Sequence, residues 1–404
     1  MLTGVNVALG VTGSIAAVRT VELAHELRRR GANVRAVTTP SASSIVHPWS
    51  LEFATEADVV TEITGQIEHV ELCGAEGWAD VLLIAPATAN TIGKIAAAID
   101  DTPVTTCATT ALGAGLPIVV APAMHEPMYD HPGVLDAIET IDDWGVSFVD
   151  PRIEEGKAKI ADTDAIALEV ARATNDPVLA GAHVVVTTGA TAERIDPVRV
   201  LTNRSSGKMG RAVARGCYVL GARVTVVHGV VGPGPFAGAV GGTNVNGLPA
   251  ADVRHVESAN EMREVTLDAV SEADALVSVA AVSDYTVEPA AEKLRSGKER
   301  TLSLEPVSKL VDAVREAHPD LAIVGFKAET GGTDDDLVAA ARELRERIDA
   351  AFVVANDASS MGADEARTLF VDAGEPREHI GSKAEIGLEV ARKLRTSIDA
   401  SSSE

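Results

Sequence analysis

The chain is 404 residues long and carries a formal charge of −24, from 59 acidic against 35 basic side chains. That balance argues against nucleic-acid binding, which needs a basic footprint. No apolar run reaches the roughly 18 residues of a transmembrane span. Apolar residues make up 46% but aromatics only 3%, so two or three domain cores must be built from Ala, Val, Leu and Ile. Ten lysines stand beside 25 arginines, and the excess acid reads as a solvated surface of the kind halophilic proteins use; full stability without salt would contradict this. Cys73, Cys107 and Cys217 are spaced as neither a disulfide framework nor a metal knuckle. Met1 leads directly into an apolar run with no signal-peptide pattern, so a cytoplasmic location is expected.

Residues 6–11 (NVALGV) read as a buried strand and 15–30 as an amphipathic helix closed by Gly31. Further strands are expected at 33–39, 79–88 and 116–124. Strand–helix alternation at this spacing predicts a parallel sheet with ligands at the carboxyl ends of its strands. Those ends carry Gly13 and Ser14, then Thr38 to Ser41, Pro86 to Asn90, and Pro122 to Met128. A dinucleotide fold is the generic alternative. Against it, GVTGSIAA (10–17) lacks G-x-G-x-x-G, and no acidic residue ends the second strand to take a ribose hydroxyl.

Together these loops resemble the flavin-dependent phosphopantothenoylcysteine decarboxylase family. Its motifs recur in order: GVTGSIAA, His69 within IEHVEL, PATANTIGKIA (86–96) and PAMHEPMY (122–129). The resemblance implies a flavodoxin-like domain that holds the FMN phosphate near Gly13, Ser14, Ser41 and Thr88, with Asn90 on the isoalloxazine side. A helix N-terminus after Gly13 suits a phosphate; taken alone, Ser14 and Ser41 read equally well as helix caps. His69 aligns with the family's catalytic base. The implied chemistry is oxidation of a substrate thiol by the flavin, loss of CO₂ next to the resulting C=S electron sink, and return of the hydride. Two positions depart from the bacterial pattern. His125 replaces the Asn that binds the substrate carboxylate, and it can still donate a hydrogen bond. The cysteine that protonates the late intermediate is missing from EEGKAKIAD (154–162). There, Lys157 or Lys159 takes over as acid or substrate-phosphate contact, or both are solvated charge on a loop.

ATNDPVLAGAH (173–183) reads as a linker. A second α/β series follows, with strands near 184–188, 223–228, 275–280, 322–325 and 352–355. After its first strand, LTNRSSGKMG (201–210) leads into a helix near Lys208, a place to hold an anion. It is not a Walker A loop, because Thr202 stands at the first Gly position and Met209 at the Mg-binding Ser/Thr. PGPFAGAVGGTNVNGLP (233–249) reads as a surface connection or a mobile loop over a site.

DPVR (196–199) followed by NRSSGKMG resembles the signature of the phosphopantothenate–cysteine ligase family. AAVSDY (280–285), EKLRSGK (292–298), GFKAET (325–330) and AND (355–357) follow in the family's order. The resemblance implies that Asp284 contacts a nucleotide, that Ala280 to Val282 let it approach the backbone, and that Lys293 sits in a loop closing over the triphosphate. Phe326 would pack beside the base or ribose, a plain core Phe being the alternative, and Asn203 would hold the acyl-nucleotide. Helix 336–348 should bring basic groups to the phosphates, with Arg342, Arg345 and Arg347 unranked. The reaction the resemblance implies is attack of the 4′-phosphopantothenate carboxylate on the α-phosphate of a nucleoside triphosphate, CTP favoured over ATP, releasing pyrophosphate, followed by displacement of the nucleotide by cysteine's amine. Mg²⁺ rides on the phosphates, and no protein metal ligand is assigned.

The two halves would catalyse consecutive steps, which supports both assignments. The resemblance is therefore to a bifunctional decarboxylase–ligase of coenzyme A biosynthesis, archaeal-type, with an α/β fold of two doubly wound Rossmann-like domains. Expected boundaries are 1–175 for the decarboxylase, 182–398 for the ligase and 399–404 for a disordered tail. Expected partners are the small-molecule substrates and copies of the chain itself, with no nucleic acid and no membrane. The homo-oligomer would combine a trimer-based decarboxylase and a dimeric ligase, a dodecamer being one arrangement that does so. Two rivals remain open: an NAD(P)-linked two-domain reductase, and a flavin-binding regulator with an inactive decarboxylase half.

Overall fold

Five of the six residues in Asn6–Val11 are buried in the first strand, β1, because helices cover both faces of the sheet it belongs to. The computed structural model describes residues 1–154, 157–229, 248, 251–357 and 365–401. The chain divides into Met1–Asn175 and Asp176–Glu404.

In the first unit, β1 is joined by β2 (Asn33–Thr38), β3 (Val81–Ala87) and β4 (Ile118–Pro122). Two short strands follow, β5 (Met124–His125) and β6 (Ser147–Phe148). The five-stranded sheet has the order β2-β1-β3-β4-β6, parallel throughout. This is the flavodoxin-like order, and it reverses between β1 and β3. The expected helix 15–30 is instead a 3₁₀ turn, Ile15–Arg19, running into an α-helix, Thr20–Arg29. A solvated loop was one of two expectations for Lys157 and Lys159. They stand instead on β8 (Lys157–Lys159), which pairs antiparallel with β7 (Arg152–Glu154) and with β5.

The second unit opens with β9 (His183–Gly189), then the ribbon β10 (Ala192–Arg194) and β11 (Val200–Thr202). Next come β12 (Arg223–Gly229), β13 (Asp252–Val256) and β14 (Ala275–Ser278), then a second small ribbon of β15 (Tyr285–Thr286) and β16 (Glu305–Pro306). The last strands are β17 (Ala322–Glu329), β18 (Phe352–Asp357), β19 (Glu365–Val371) and β20 (Arg377–Ser382). Eight of them form one sheet in the order β13-β12-β9-β14-β17-β18-β19-β20. It is parallel up to β18 and antiparallel beyond. The sequence reading anticipated five of these strands. The other three are the edge strands β13 and β20 and their neighbour β19, where exposed polar residues dilute the strand signal, as Glu365 and Arg367 do on either side of buried Ala366.

Val185, Leu276, Ile323 and Val353, one from each central strand, share a single core cluster with Leu369. The helices Lys208–Val219 and Lys383–Ser401 cross at two glycines: a Cβ on Gly387 would stand 2.2 Å from the Ala212 carbonyl oxygen. The last helix includes residues 399–401 of the expected tail, held by the Arg395–Asp399 pair one turn apart. Residues 402–404 and, apart from Leu248, the Gly/Pro-rich stretch 233–249 lie outside the described residues.

Candidate active sites

In the first unit the sheet order reverses between β1 and β3, and there the loops are tied together by a threonine. The Thr12 hydroxyl donates to the Pro86 carbonyl at 2.7 Å and accepts the Thr88 N–H at 3.2 Å. Gly13 follows, so close to the next loop that a Cβ would stand 2.4 Å from Ser41 Oγ. Ser14 caps the 3₁₀ turn and donates to the Ala123 carbonyl at 3.2 Å, which draws in the loop after β4. Thr88 caps the helix Ala89–Ala96, with exposed Asn90 in its first turn. Ser41 is exposed and is not the cap of its helix; Thr39 is, and their hydroxyls lie 3.0 Å apart. Gly13, Ser14, Ser41 and Thr88 therefore converge, with helix N-termini around them and no acidic side chain on the loops 11–14, 38–44 and 86–90. A cradle that a single methyl group would fill, rimmed by hydroxyls and amide N–H groups, fits a phosphate ester such as that of a flavin mononucleotide.

His125 and Lys157 are brought together as register partners of β5 and β8. His69 lies on the short helix Glu68–Cys73, which packs against Pro103–Ala114. Its Nδ1 is shielded from solvent and has no hydrogen-bond partner among the described residues. The residue before this helix pair, Ile67, has φ of 53°. A β-branched side chain in the left-handed region costs about 1–3 kcal/mol, so the backbone is held under strain two residues before the imidazole.

The second unit repeats the plan. Its order reverses between β9 and β14. The Thr187 hydroxyl accepts the N–H groups of Val279 and Ala280 at 3.2 and 3.3 Å. Thr188 donates to the Gly207 carbonyl at 3.1 Å, and Gly210 lies so near that a Cβ would stand 2.2 Å from Thr188 Oγ1. Asn203 donates to the carbonyls of Ala281 and Val282, both at 3.2 Å, and so fastens the NRSSGK loop to the loop after β14.

Two cavities meet here, of about 520 and 320 Å³, sharing Ala280, Val282, Asp284 and Phe326. Phe326 is half-buried between them rather than sealed in the core. Lys309 Nζ lies 3.8 Å from Asp284, brought there by the β15–β16 ribbon and the bond from Val307 N–H to the Asp284 carbonyl. Arg347 lines the larger cavity and pairs with Asp312. Arg345 does not reach these cavities; it lines a cleft at the amino ends of β17 and β18.

Lys293 is exposed and lines neither cavity. Its loop is pinned next door: Leu294 donates its N–H to Asp196 at 3.1 Å and accepts from the Arg199 guanidinium at 3.0 Å. Asp196 also accepts the N–H groups of Val198 and Arg199, both at 2.8 Å. Burial alone would raise this carboxyl, but the N–H groups of Val198, Leu294 and Arg199 and the Arg199 guanidinium outweigh it and hold it down to about 2. Lys309 escaped the sequence reading, while Thr12 and Lys327 lay inside the GVTGSIAA and GFKAET strings without being singled out. A lone lysine such as Lys309 in a charged chain carries no signal of the pocket it will line.

Two α/β units, each with an anion-receiving cradle where its strand order reverses, define a two-site enzyme built for phosphorylated ligands. Comparison with known proteins agrees. Residues 1–175 match the family described as Flavoprotein, and 179–399 the DNA/pantothenate metabolism flavoprotein C-terminal domain. The chain is 46% identical over 374 residues to the coenzyme A biosynthesis bifunctional protein CoaBC of Thermococcus kodakarensis, covering 92% of this chain and 89% of that one. The CoaBC proteins of Bacillus subtilis (34% identity; 98% and 97% covered) and Methanocaldococcus jannaschii (33%; 98% and 94%) are similar along their whole length. The chain belongs to the CoaBC family of bifunctional coenzyme A biosynthesis enzymes: a flavoprotein decarboxylase fused to a phosphopantothenate–cysteine ligase. No described helix is long and apolar enough to cross a membrane.

Proposed function

We propose that the second unit joins 4′-phosphopantothenate to cysteine with CTP, and that the first removes CO₂ from the product with FMN. The observation that carries this is the pair of separate cradles, one at Gly13 and Ser41 and one at Gly207 and Gly210, on units matching the two halves of the family.

In the ligase, the nucleotide lies along Ala280 to Asp284 with its base or ribose against Phe326. Lys309, Lys327 and Arg347 line the same space and spread positive charge over the triphosphate, with Mg²⁺ on its oxygens. Lys293 joins them if its loop closes. The substrate carboxylate displaces pyrophosphate from the α-phosphate, and Asn203, already bridging both loops, holds the acyl-nucleotide in place. Cysteine's amine then displaces the nucleotide.

In the decarboxylase, amide N–H groups after Gly13 and the hydroxyls of Ser14, Ser41 and Thr88 take the FMN phosphate, and Asn90 flanks the ring. The flavin, when bound, would supply the hydride exchange that turns the substrate's thiol carbon into a C=S electron sink β to the carboxylate. His69 accepts a proton at its imidazole, whose Nδ1 has no protein partner among the described residues. His125 donates to the substrate carboxylate. The proton delivered by a cysteine in bacterial relatives is assigned to the strand Lys157–Lys159, which pairs with His125.

Exposed Ile15 and Val18 beside Ser14, and exposed Trp49 and Phe53 on the helix Pro48–Thr55, support an assembly of several copies. A trimer-based decarboxylase with a dimeric ligase, working in the cytoplasm, is the arrangement proposed. The test supplies pure protein with phosphopantothenate, cysteine, Mg²⁺ and CTP or ATP, and follows pyrophosphate and CO₂. His69→Asn should stop CO₂ release and spare pyrophosphate; loss of both would overturn the two-site assignment.

A further inference from the structure

A second large cleft, of about 1150 Å³, opens at the amino ends of β17 and β18, at the opposite ends of these strands from Phe326 and the ligase cavities. Arg345, Arg377 and Arg392 line it, from the helix Asp334–Arg347, from β20 and from the last helix. Several arginines of this unit pair with carboxylates: Arg347 with Asp312, Arg367 with Asp334 and Glu378, and Arg395 with Asp399. The guanidinium groups of these three have no hydrogen-bond or ion-pair partner among the described residues, and Arg345 Nε is shielded from water as well. Asp320, Asp349, Asp372 and Glu389 also line the cleft; of these, Asp372 is engaged, accepting from Lys393 and from the Gly374 N–H at 2.8 Å, and the Arg377 charge helps to hold its carboxyl low. Lys393 in turn lies 5.3 Å above the Phe352 ring.

Burying the Arg345 Nε–H without a partner is unfavourable, whereas Arg377 and Arg392 are exposed. An anion that reaches Arg345 removes that cost. Planar arginine forks match the oxygens of phosphate groups in pairs, and the cleft is as large as metabolite pockets usually are. We propose that this cleft is a second ligand site of the ligase unit, one that takes a polyanionic phosphate compound through Arg345, Arg377 and Arg392. An occupant with two or more phosphate groups has oxygens enough to meet guanidiniums that arrive from three separate elements.

Inorganic tripolyphosphate is the probe, titrated calorimetrically into the full-length protein at constant ionic strength. The comparison is the double variant Arg377→Gln/Arg392→Gln; both positions are exposed, so folding and ligase turnover without the probe should be unchanged. The wild-type isotherm is expected to contain a binding event that the variant lacks or shows at least tenfold weaker. Superimposable isotherms from the two proteins would overturn the assignment, as would binding by the wild type confined to the ligase cavities.

Discussion

Gly13 and Ser41 are in contact across the first cradle: a Cβ on Gly13 would meet Ser41 Oγ at 2.4 Å and its Cβ at 2.6 Å. The loops after β1 and β2 can approach this closely only because one of them carries no side chain. Gly13→Ala should therefore spread the cradle while leaving the buried strands intact. Flavin retained through purification, read from its visible absorbance, is expected to fall at least tenfold, about 1.4 kcal/mol of binding. Ser41→Gly in the same chain should restore part of it. Undiminished flavin in Gly13→Ala would place the phosphate elsewhere.

Asp196 holds both its own loop and the Leu294 peptide, and its folded carboxyl lies at about 2 against an ordinary 3.8. A depressed carboxyl contributes stability that is fully present above the ordinary value and is lost as pH falls through the folded one. Denaturant titrations between pH 5 and 2 should show the second unit losing stability through the window from 3.8 down to 2. Asp196→Asn should flatten that slope and slow the ligase by loosening the 292–298 loop. An unchanged acid slope in the variant would show that other carboxyls set it.

Phe326 stands between the two ligase cavities. Phe326→Ala would merge them and remove the surface proposed to pack against the base or ribose. Aromatic stacking on a base is worth about 1–3 kcal/mol, so ligase kcat/KM should drop about tenfold or more. CO₂ release from supplied phosphopantothenoylcysteine should not change. A ligase indifferent to this change would return Phe326 to the plain core.

Gly387 meets the backbone of Ala212 and Val213, with a Cβ landing 2.2 Å from a carbonyl oxygen and 2.8 Å from an amide nitrogen. Gly387→Ala pushes the last helix off the one that begins at Lys208. The overpacking cost is about 1–3 kcal/mol, visible as a lower melting temperature of the ligase unit, with ligase activity falling because Gly207 and Gly210 ride on the displaced helix. A melting profile matching wild type would mean that the crossing can slide.

What the residue order determined by itself was local. Largely apolar runs such as VALGV and VVV pointed to buried parallel strands, because only a doubly covered sheet accommodates them. Loops rich in Gly, Ser and Thr at strand ends marked the candidate ligand loops, and two sets of motif strings in order pointed to the chemistry of each half. Tertiary structure decided which of these pieces meet. The pairing of β5 with β8 turned an apparent loop into a strand beside His125, and the β15–β16 ribbon carried an inconspicuous Lys309 to Asp284. On a single helix, Arg345 and Arg347 were sent to different cavities although nothing in their spacing ranks them. The reason is physical: strand pairing and helix crossing are set by contacts tens of residues apart, and a polar side chain at an edge has the same local pattern whether it lines a pocket or faces water.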